Sequence, residues 1–255
     1  MIELYHAPQS TCSQKVRICL AEKGIEWVDR RINLGKNEHL APDYLKLNPN
    51  GVVPTLVHDG RAIIDSSVIC EYLDETFPEP RLAPDDAPGR ADMRAWMRYL
   101  EEVPTSAVRV PSFNMALMSR FEGQDDAAFL RNEADIRPIR KHFYRRMGTK
   151  GFGADDFRNS LEQIVKTCER VHGALADGPW LLGTLYSIAD IVLAPSIDRM
   201  ADLGFAHLWE SEFPRVTDWH NRIKARPAFQ KAFFPGSRMS ESYELAPPTV
   251  ASLRP

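Results

Sequence analysis

The sequence predicts an α/β domain at the N-terminus followed by an all-α domain. Strand-like and helix-like patterns alternate as far as about residue 77, whereas helical periodicity fills most of the chain after residue 89. Four prolines, Pro78, Pro80, Pro84 and Pro88, crowd the stretch between them, which excludes a helix interior and indicates a semi-rigid linker. The expected units are a first domain at 1–78, a linker at 79–89, a helical domain at 90–235 and a tail at 236–255.

Composition and charge narrow the possible functions. The chain has 255 residues, enough to bury a sizeable core, and its formal net charge of -3 favours neither nucleic acid nor an anionic membrane as partner. The cysteines form no C-x-x-C pair and no metal-ligand spacing, and no signal-peptide pattern is present. No apolar run approaches the ~20 residues of a membrane-spanning helix. We expect a cytoplasmic protein without a metal that acts on a small molecule.

The first domain opens with a strand, a helix and a second strand. Residues 2–6 alternate apolar and polar side chains, as a half-buried strand does. Residues 16–23 have the periodicity of a helix, which Gly24 is placed to end. Residues 26–33 alternate enough to form the second strand. This order predicts a βαβ crossover.

A hairpin and a further helix complete the first domain. Asp59-Gly60 lies between two β-prone runs, residues 54–58 and 61–64, and such a pair is a strong hairpin signal. Helical periodicity resumes at Ser66 or Ser67. The sequence therefore predicts four strands and two helices in this domain.

The second domain is expected to be entirely helical. Five segments have helical periodicity, at residues 90–117, 125–147, 155–175, 188–200 and 213–226. Residues 235–255 carry scattered prolines and serines and no apolar face. We expect this tail to lie on the surface or to be disordered.

The junction of the first strand and helix is the first candidate site. Ser10, Thr11, Cys12 and Ser13 place three hydroxyls and a thiol at a helix N-terminus. Free N–H groups and the helix dipole there stabilise a thiolate or carboxylate by roughly 0.3–1 kcal/mol. Ser10 or Thr11 can also be a simple N-cap, and Cys12 a small buried hydrophobe.

Two further motifs suit a ligand with a peptide group, an amine and a carboxylate. If the Val53–Pro54 bond is cis, the turn lets Val53 present its backbone N–H and C=O to a ligand. Asp65 and Ser66 precede a helix, where Asp65 can pair with an ammonium and the helix N-terminus with a carboxylate. The alternative is an ordinary capping pair.

These motifs together carry a family resemblance. Residues 10–13 are similar to the Ser-Ser-Cys helix start of zeta-class glutathione transferases. Residues 48–56 resemble that family's cis-proline element, and residues 65–66 stand where it has a Glu-Ser clamp for the γ-glutamyl group. Residues 187–190 resemble its buried capping box, and residues 180–183 resemble the lead-in to it. The chain therefore resembles the cytosolic glutathione transferases, which implies a thioredoxin-like first domain and the glutathione transferase fold.

The resemblance implies roles for the residues of the first helix start and the following loop. Ser10 is similar in position to the serine that hydrogen-bonds the sulfur of glutathione, with Thr11, Cys12 and Ser13 as rivals. His39 is similar to a histidine that reaches the glycine carboxylate, although a solvated loop histidine is an equal alternative. Glutathione is the implied cosubstrate, and the protein supplies orientation and electrostatic stabilisation.

The resemblance also implies roles further along the chain. Val53, next to Pro54, is expected to pair with the cysteinyl backbone of glutathione. Asp65 and Ser66 are expected to hold the γ-glutamyl end. Asp190 is assigned to folding, because as the third helical residue it would bond back to the Ser187 N–H in a capping box.

Substrate choice is expected to come from residues 104–157, whose length and layout resemble the bacterial β-aryl etherase branch of the family. Aromatic and methionine side chains in and near this stretch either line an apolar pocket or belong to the core. They are Trp96, Tyr99, Phe113, Met115, Met118, Phe143 and Tyr144. We expect a hydrophobic, aromatic electrophile that is conjugated or cleaved by thiolate attack.

Several alternatives stay open. The basic residues of 137–150 indicate a solvated helix face or, for a maleylacetoacetate-type isomerase, a site for an anionic substrate. Cys12 as the protein's own nucleophile would give a thiol transferase or dehalogenase. A non-catalytic scaffold is the alternative of another class. The resemblance further implies a homodimer and a role in detoxification.

Overall fold

The computed structural model describes residues 1–246. The N-terminal part contains β1 (Ile2–His6), α1 (Thr11–Glu22), β2 (Val28–Arg31), α2 (Pro42–Leu47), β3 (Thr55–His58), β4 (Arg61–Ile64) and α3 (Ser66–Thr76). The remainder is helical, with α4 (Ala87–Glu102), α5 (Pro104–Ala107), α6 (Arg109–Ser112), α7 (Asp126–Phe129), α8 (Lys141–Met147), α9 (Ala154–Ala174), α10 (Ile188–Asp202), α11 (His207–Glu210), α12 (Pro214–Ala225) and α13 (Pro227–Ala232). The expected combination of an α/β and an all-α part is confirmed. No helix within residues 1–246 is long and apolar enough to cross a bilayer.

The four strands form one sheet in the order β2-β1-β3-β4. β1 and β2 are parallel, as a βαβ crossover requires, and β3 is antiparallel to both of its neighbours. Leu4 lies opposite Leu56 in the register, and both are completely buried. Together with Val16 of α1 and Ile69 of α3 they belong to the main hydrophobic core. Burial of this apolar face attaches α1 and α3 to the sheet.

Residues with positive φ set the turns of the N-terminal part. Asp59 and Gly60 have φ of 48° and 83°, the pattern of a type I′ hairpin turn. Gly24 has φ of 63° directly after the last residues of α1, as a left-handed helix end does. The predicted hairpin and helix end are confirmed, and α1 begins at Thr11, directly after the predicted N-cap Ser10 and before the periodic segment that starts at residue 16.

Charged residues of α1 are buried against the helical part. Lys15 Nζ donates hydrogen bonds to Glu101 Oε1 at 2.8 Å and to Thr105 Oγ1 at 2.9 Å. Arg17 Nε donates to the Ala232 carbonyl at 2.9 Å, and burial lowers the pKa of Arg17 to about 9. Because a buried charge without partners is costly, these contacts fix α1 against the helical part and orient its N-terminus.

Two of the five predicted long helices are interrupted. Residues 90–117 divide at Pro104, which has no N–H to donate and starts α5 instead of continuing α4. Residues 125–147 divide between α7 and α8, and Pro138 lies in the gap. Helical periodicity misses these breaks, because a proline redirects the backbone without changing the apolar pattern around it.

The linker and the tail also differ from expectation. α4 begins at Ala87, inside the predicted linker, because Asp86 Oδ1 caps it by accepting a hydrogen bond from Gly89 N at 2.8 Å. Ser237 is fully buried and Met239 is part of the main core, so the predicted absence of an apolar face is wrong for residues 235–246. The expected position on the surface holds for exposed residues such as Ser240 and Glu241. Gln9 Nε2 holds this segment by donating to the Gly236 carbonyl at 2.7 Å. Residues 247–255 lie outside the described residues.

The polar groups at the start of α10 form hydrogen bonds with other groups of the protein. Ser187 and Asp190 form the predicted capping box, in which the Ser187 N–H donates to Asp190 Oδ2 at 3.1 Å. Asp190 Oδ1 also accepts from Leu181 N at 3.1 Å and from Trp219 Nε1 at 2.9 Å. Burial raises the pKa of Asp190 to about 6. We call residues 187–190 the closed helix start; its structural role was expected and is confirmed.

Candidate active site

A cavity of about 640 Å³ lies between the α/β part and the helical part. Its floor is the start of α1, and residues from 31–39 and 50–53 form what we call the N-terminal wall. Residues from 108–120 and 137–144 form the helical wall. The volume is within the range of roughly 300–1,000 Å³ that is usual for small-molecule sites.

The α1 helix begins at the cavity floor with unpartnered donors. Ser10 is the N-cap, and its Oγ accepts a hydrogen bond from Ser13 N at 3.2 Å, so its O–H remains available as a donor. The backbone N–H groups of Thr11 and Cys12 have no hydrogen-bond partner within residues 1–246. An anion placed there meets two N–H groups, one hydroxyl and the positive end of the helix dipole. We call residues 10–12 the open helix start.

The predicted residues of this turn divide into two groups. Ser10, Thr11 and Cys12 line the cavity and are partly exposed, and Cys12 is a free thiol. The alternative that Cys12 is a buried hydrophobe is therefore wrong, whereas the N-cap prediction holds for Ser10. Ser13 is completely buried and outside the cavity lining, and its Oγ accepts from Ala7 N at 3.3 Å.

His39 lies in the N-terminal wall and is only 6% exposed, so the alternative of a solvated loop histidine is wrong. Arg137 Nη1 approaches His39 Nε2 to 2.9 Å and donates to it. Burial and the nearby positive charge of Arg137 lower the pKa of His39 to about 4. The ring is therefore neutral at pH 7 with its proton on Nδ1, and this N–H has no partner in the described part of the chain.

The remaining predicted residues flank the sheet. Val53 lines the cavity and is joined to Pro54 by a cis peptide bond. Asp65 caps α3, since its Oδ1 accepts from Ser67 N at 3.0 Å. Pro54, Asp65 and Ser66 are not in the cavity lining; Asp65 is exposed, and Ser66 is buried.

The basic run of 137–150 does not form one solvated face. Arg137 and Arg140 line the helical wall, and Arg137 forms a buried ion pair with Glu133 at 2.8 Å. Arg145, by contrast, pairs with Asp135 at 2.7 Å near the surface. The prediction of a solvated face is wrong for Arg137 and Arg140 and holds for Arg145.

Few of the predicted aromatic and methionine side chains reach the cavity. Phe113 and Tyr144 line the helical wall, with their ring centroids 5.6 Å apart in an edge-to-face arrangement. The others pack in or beside hydrophobic clusters outside the cavity: Trp96, Tyr99, Met115, Met118 and Phe143.

The reasoning from sequence missed Arg31 and Arg120 at the cavity, and it also missed two arginines of apolar helical segments. Arg199 Nη1 donates to Ser112 Oγ at 3.1 Å, and burial lowers the pKa of Arg199 to about 10. Arg109 also lines the helical wall. Arg109 and Arg199 are each the one cation of a mainly apolar helical segment. This pattern would have identified them, because arginine is rarely buried unless it has a partner.

Two family models match the chain. The model described as Glutathione S-transferase, N-terminal domain, matches residues 4–81, and the one described as Glutathione S-transferase, C-terminal domain, matches residues 151–222. The chain belongs to the glutathione S-transferase family. This transferase is a glutathione-dependent enzyme, and the expected family, fold, enzyme class and cosubstrate are confirmed.

Named relatives resemble this transferase over most of their length. Protein LigF of Sphingobium sp. is 29% identical, over 91% of this chain and 93% of LigF. The crystal structure of the beta-etherase LigF matches with a TM-score of 0.81, over 91% of this chain and 98% of that one. Glutathione S-transferase 1 of Dianthus caryophyllus is 34% identical, over 84% and 82% of the two chains. The tetrachloro-p-hydroquinone reductive dehalogenase of Sphingobium chlorophenolicum is 27% identical, over 91% and 95%.

Proposed function

We propose that this transferase holds the sulfur of glutathione at the open helix start and uses the thiolate to attack an aromatic electrophile. The observation that carries the proposal is the pair of unpartnered N–H groups of Thr11 and Cys12 beside the Ser10 hydroxyl. A free thiol has a pKa of about 8.5, so little of it is ionised at neutral pH. Donors that face the sulfur stabilise the thiolate and lower that pKa toward ~7.

The rest of glutathione would extend along the N-terminal wall. In this proposal the backbone of Val53, before Pro54, pairs with the cysteinyl unit. Asp65 Oδ2, which has no hydrogen-bond partner within residues 1–246, pairs with the ammonium group, and Ser66 at the start of α3 takes the γ-glutamyl carboxylate. The neutral His39, in the N-terminal wall, serves the glycine carboxylate.

The proposed reaction is a displacement by sulfur. The thiolate forms a bond to the electrophilic carbon while the bond from that carbon to the leaving group breaks, and the leaving group departs as a halide or an aryl oxide. An aromatic substrate suits the rings of Phe113 and Tyr144 in the helical wall. The names of two relatives, a beta-etherase and a reductive dehalogenase of a chlorinated hydroquinone, point to the same substrate class.

Cys12 supports a second candidate function. Its thiol is free and lines the cavity, so in this alternative the protein's own sulfur is the nucleophile of a thiol transferase or dehalogenase.

A titration of bound glutathione separates the two candidates. The ultraviolet absorbance of the thiolate is followed against pH for the wild-type protein, Ser10→Ala and Cys12→Ala. We expect a depressed thiol pKa in the wild type and in Cys12→Ala, and a pKa about one unit higher in Ser10→Ala, because only that variant loses the hydroxyl donor. Full turnover in Ser10→Ala together with none in Cys12→Ala would assign the chemistry to Cys12.

We also infer from family membership that the protein is a cytoplasmic homodimer with a role in detoxification. Light scattering on the purified protein tests the oligomeric state directly, and the mass of a single chain over the whole concentration range would contradict the dimer.

A further inference from the structure

The cavity is more cationic than glutathione requires. Six arginines and one acidic residue line it: Arg31, Arg109, Arg120, Arg137, Arg140, Arg199 and Glu38. Arg31 pairs with Asp29 at 3.0 Å and Arg137 pairs with Glu133 at 2.8 Å, which leaves four arginines without an acidic partner in the described residues. The thiolate form of glutathione has two carboxylates, one thiolate and one ammonium, and thus a net charge of about -2 at neutral pH. Glu38 and a bound glutathione together do not neutralise the four unpaired arginines, so the cavity keeps a positive charge.

That surplus charge is concentrated at two residues of the helical wall. Arg120 Nη2 donates to the Leu34 carbonyl at 3.2 Å, and Arg199 donates to Ser112. Arg109 and Arg140 have neither a side-chain hydrogen bond nor an ion pair within residues 1–246. Burial lowers the pKa of Arg109, and the positive charge of Arg140 lowers it further. Two like charges in a partly desolvated place are unfavourable, and a bound anion between them relieves that cost.

The same wall also contains two aromatic rings. Arg109 precedes Phe113 by four residues, and Arg140 precedes Tyr144 by four residues. Arg109 and Phe113 lie in continuous helical backbone, whereas Arg140 is the residue that precedes α8, the helix that contains Tyr144. Arg137 already covers the Tyr144 ring, with its Cζ 3.8 Å from the ring centroid. Arg109, Arg140 and the two rings line one cavity, so a flat ligand with a negative group can meet both kinds of contact there.

We infer that Arg109 and Arg140 bind a negatively charged group, such as a carboxylate, on the aromatic electrophile itself. This inference rests on the proposed function and specifies its substrate class. The rings contact the aromatic body of the substrate, the arginines hold its carboxylate, and the electrophilic carbon faces the open helix start. For a chloroarene the carbon–sulfur bond forms, the carbon–chlorine bond breaks, and chloride leaves.

A matched pair of electrophiles tests the inference. 1-Chloro-2,4-dinitrobenzene is neutral, and 4-chloro-3,5-dinitrobenzoate carries a carboxylate. After correction for the uncatalysed rates, we expect the wild-type kcat/KM to be at least roughly tenfold higher for the benzoate, since an ion pair to arginine is a strong, directional contact. Arg109→Met and Arg140→Met should each remove about tenfold of that advantage and change the neutral substrate less than about twofold. Arg145→Met, the surface control on α8, should change neither.

A binding measurement keeps the inference independent of turnover. Calorimetry with the unreactive 3,5-dinitrobenzoate should show a Kd about tenfold weaker in Arg109→Met and Arg140→Met than in the wild type or Arg145→Met. Glutathione affinity should be the same in all four proteins. If the two variants lose glutathione affinity instead, the arginines serve glutathione and the inference is wrong. Absence of glutathione binding in the wild type would refute the proposed function, whereas normal binding without a preference for the benzoate refutes only this inference.

Discussion

The starts of α1 and α10 begin from the same local chemistry and end in opposite states. Each is capped by a serine, Ser10 or Ser187, in an extended conformation. At the closed helix start, Ile188 N donates to the Leu82 carbonyl at 2.9 Å, and Asp190 satisfies the groups around it. At the open helix start, the first two N–H groups have no partner within residues 1–246, and no acidic residue occupies the first turn.

The difference shows how one motif serves either stability or binding. A helix N-terminus has more N–H donors than the helix can satisfy, so each start must find acceptors elsewhere. In α10 the chain itself supplies these acceptors, and the helix start is buried and serves stability. In α1 the acceptors are left to a ligand, and buried ion pairs further along the helix, such as Lys15 with Glu101, hold the helix in place. The expected effects of substitution at the two sites therefore differ in kind.

The largest expected effect is on stability at the closed helix start. Asp190→Ala removes the acceptor of Leu181 N, Ser187 N and Trp219 Nε1, and should lower the free energy of unfolding by about 3–5 kcal/mol. Urea denaturation measures this. Asp177→Ala, an exposed acidic residue just before the same segment, is the control and should change stability by less than about 0.5 kcal/mol. Equal effects of the two substitutions would contradict the structural role of the closed start.

At the open helix start the expected effect is on activity. Ser10→Ala removes the hydroxyl beside the sulfur and should lower kcat/KM by roughly 10–100-fold, because one donor to a developing or bound anion is lost. Its loss as an N-cap should cost only about 1 kcal/mol of stability. Steady-state kinetics and thermal melts measure the two effects, with the exposed Ser119→Ala as control. A stability loss without a change in kcat/KM would make Ser10 a cap and nothing more.

The pH dependence of stability should have opposite signs for two buried histidines and for Asp190. His39 and His6 have pKa values of about 4, because burial disfavours their charged forms, against an unfolded value of about 6.5. The unfolded chain binds more protons in that window, so their stabilisation is complete above about pH 6.5 and is lost toward pH 4. Asp190, whose pKa of about 6 exceeds its unfolded value of ~3.9, has the opposite sign: its contribution is lost as pH rises through 6.

The two histidines outweigh the one carboxyl group, so the protein should be less stable at pH 4.5 than at pH 7. The slope of the unfolding free energy against pH should correspond to about one more proton bound by the unfolded chain than by the folded chain. Urea titrations at several pH values measure the slope. His39→Asn should flatten it; an unchanged slope would show that His39 contributes nothing to it.

The smallest expected effect is that of Thr11→Val, which keeps the shape of the side chain and the backbone N–H but removes the hydroxyl. Because the backbone N–H is the donor that faces the cavity, kcat/KM should change by less than about twofold. A loss of tenfold or more would make the Thr11 hydroxyl, rather than that of Ser10, the donor to the sulfur.

Local patterns were sufficient for much of the fold and for part of the candidate site. The hairpin at Asp59-Gly60, the end of α1 at Gly24 and the capping box of Ser187 and Asp190 each depend on neighbouring residues, so the sequence predicts them. The presence of Ser10, Thr11 and Cys12 at a helix N-terminus is local in the same sense.

Other features depend on segments that are distant in the sequence. The buried state of His39 depends on Arg137, which lies in another part of the fold. The packing of Met239 and Ser237 depends on the helices that the tail crosses, although the tail itself has a polar composition. The exposed and buried members of the basic run differ because Pro138 interrupts the helix and turns Arg137 and Arg140 toward the cavity.

Short-range sequence patterns specify an α/β part with a serine-capped helix start, a helical part with a capping box, and the motifs of the glutathione transferases. Which helix start remains open and which arginines surround it depend on how the chain folds. Capping and turn formation are governed by residues a few positions apart. The charge and shape of a cavity are sums over side chains that meet only when the chain is folded, such as Arg109 from α6, Arg140 beside α8 and Cys12 from α1.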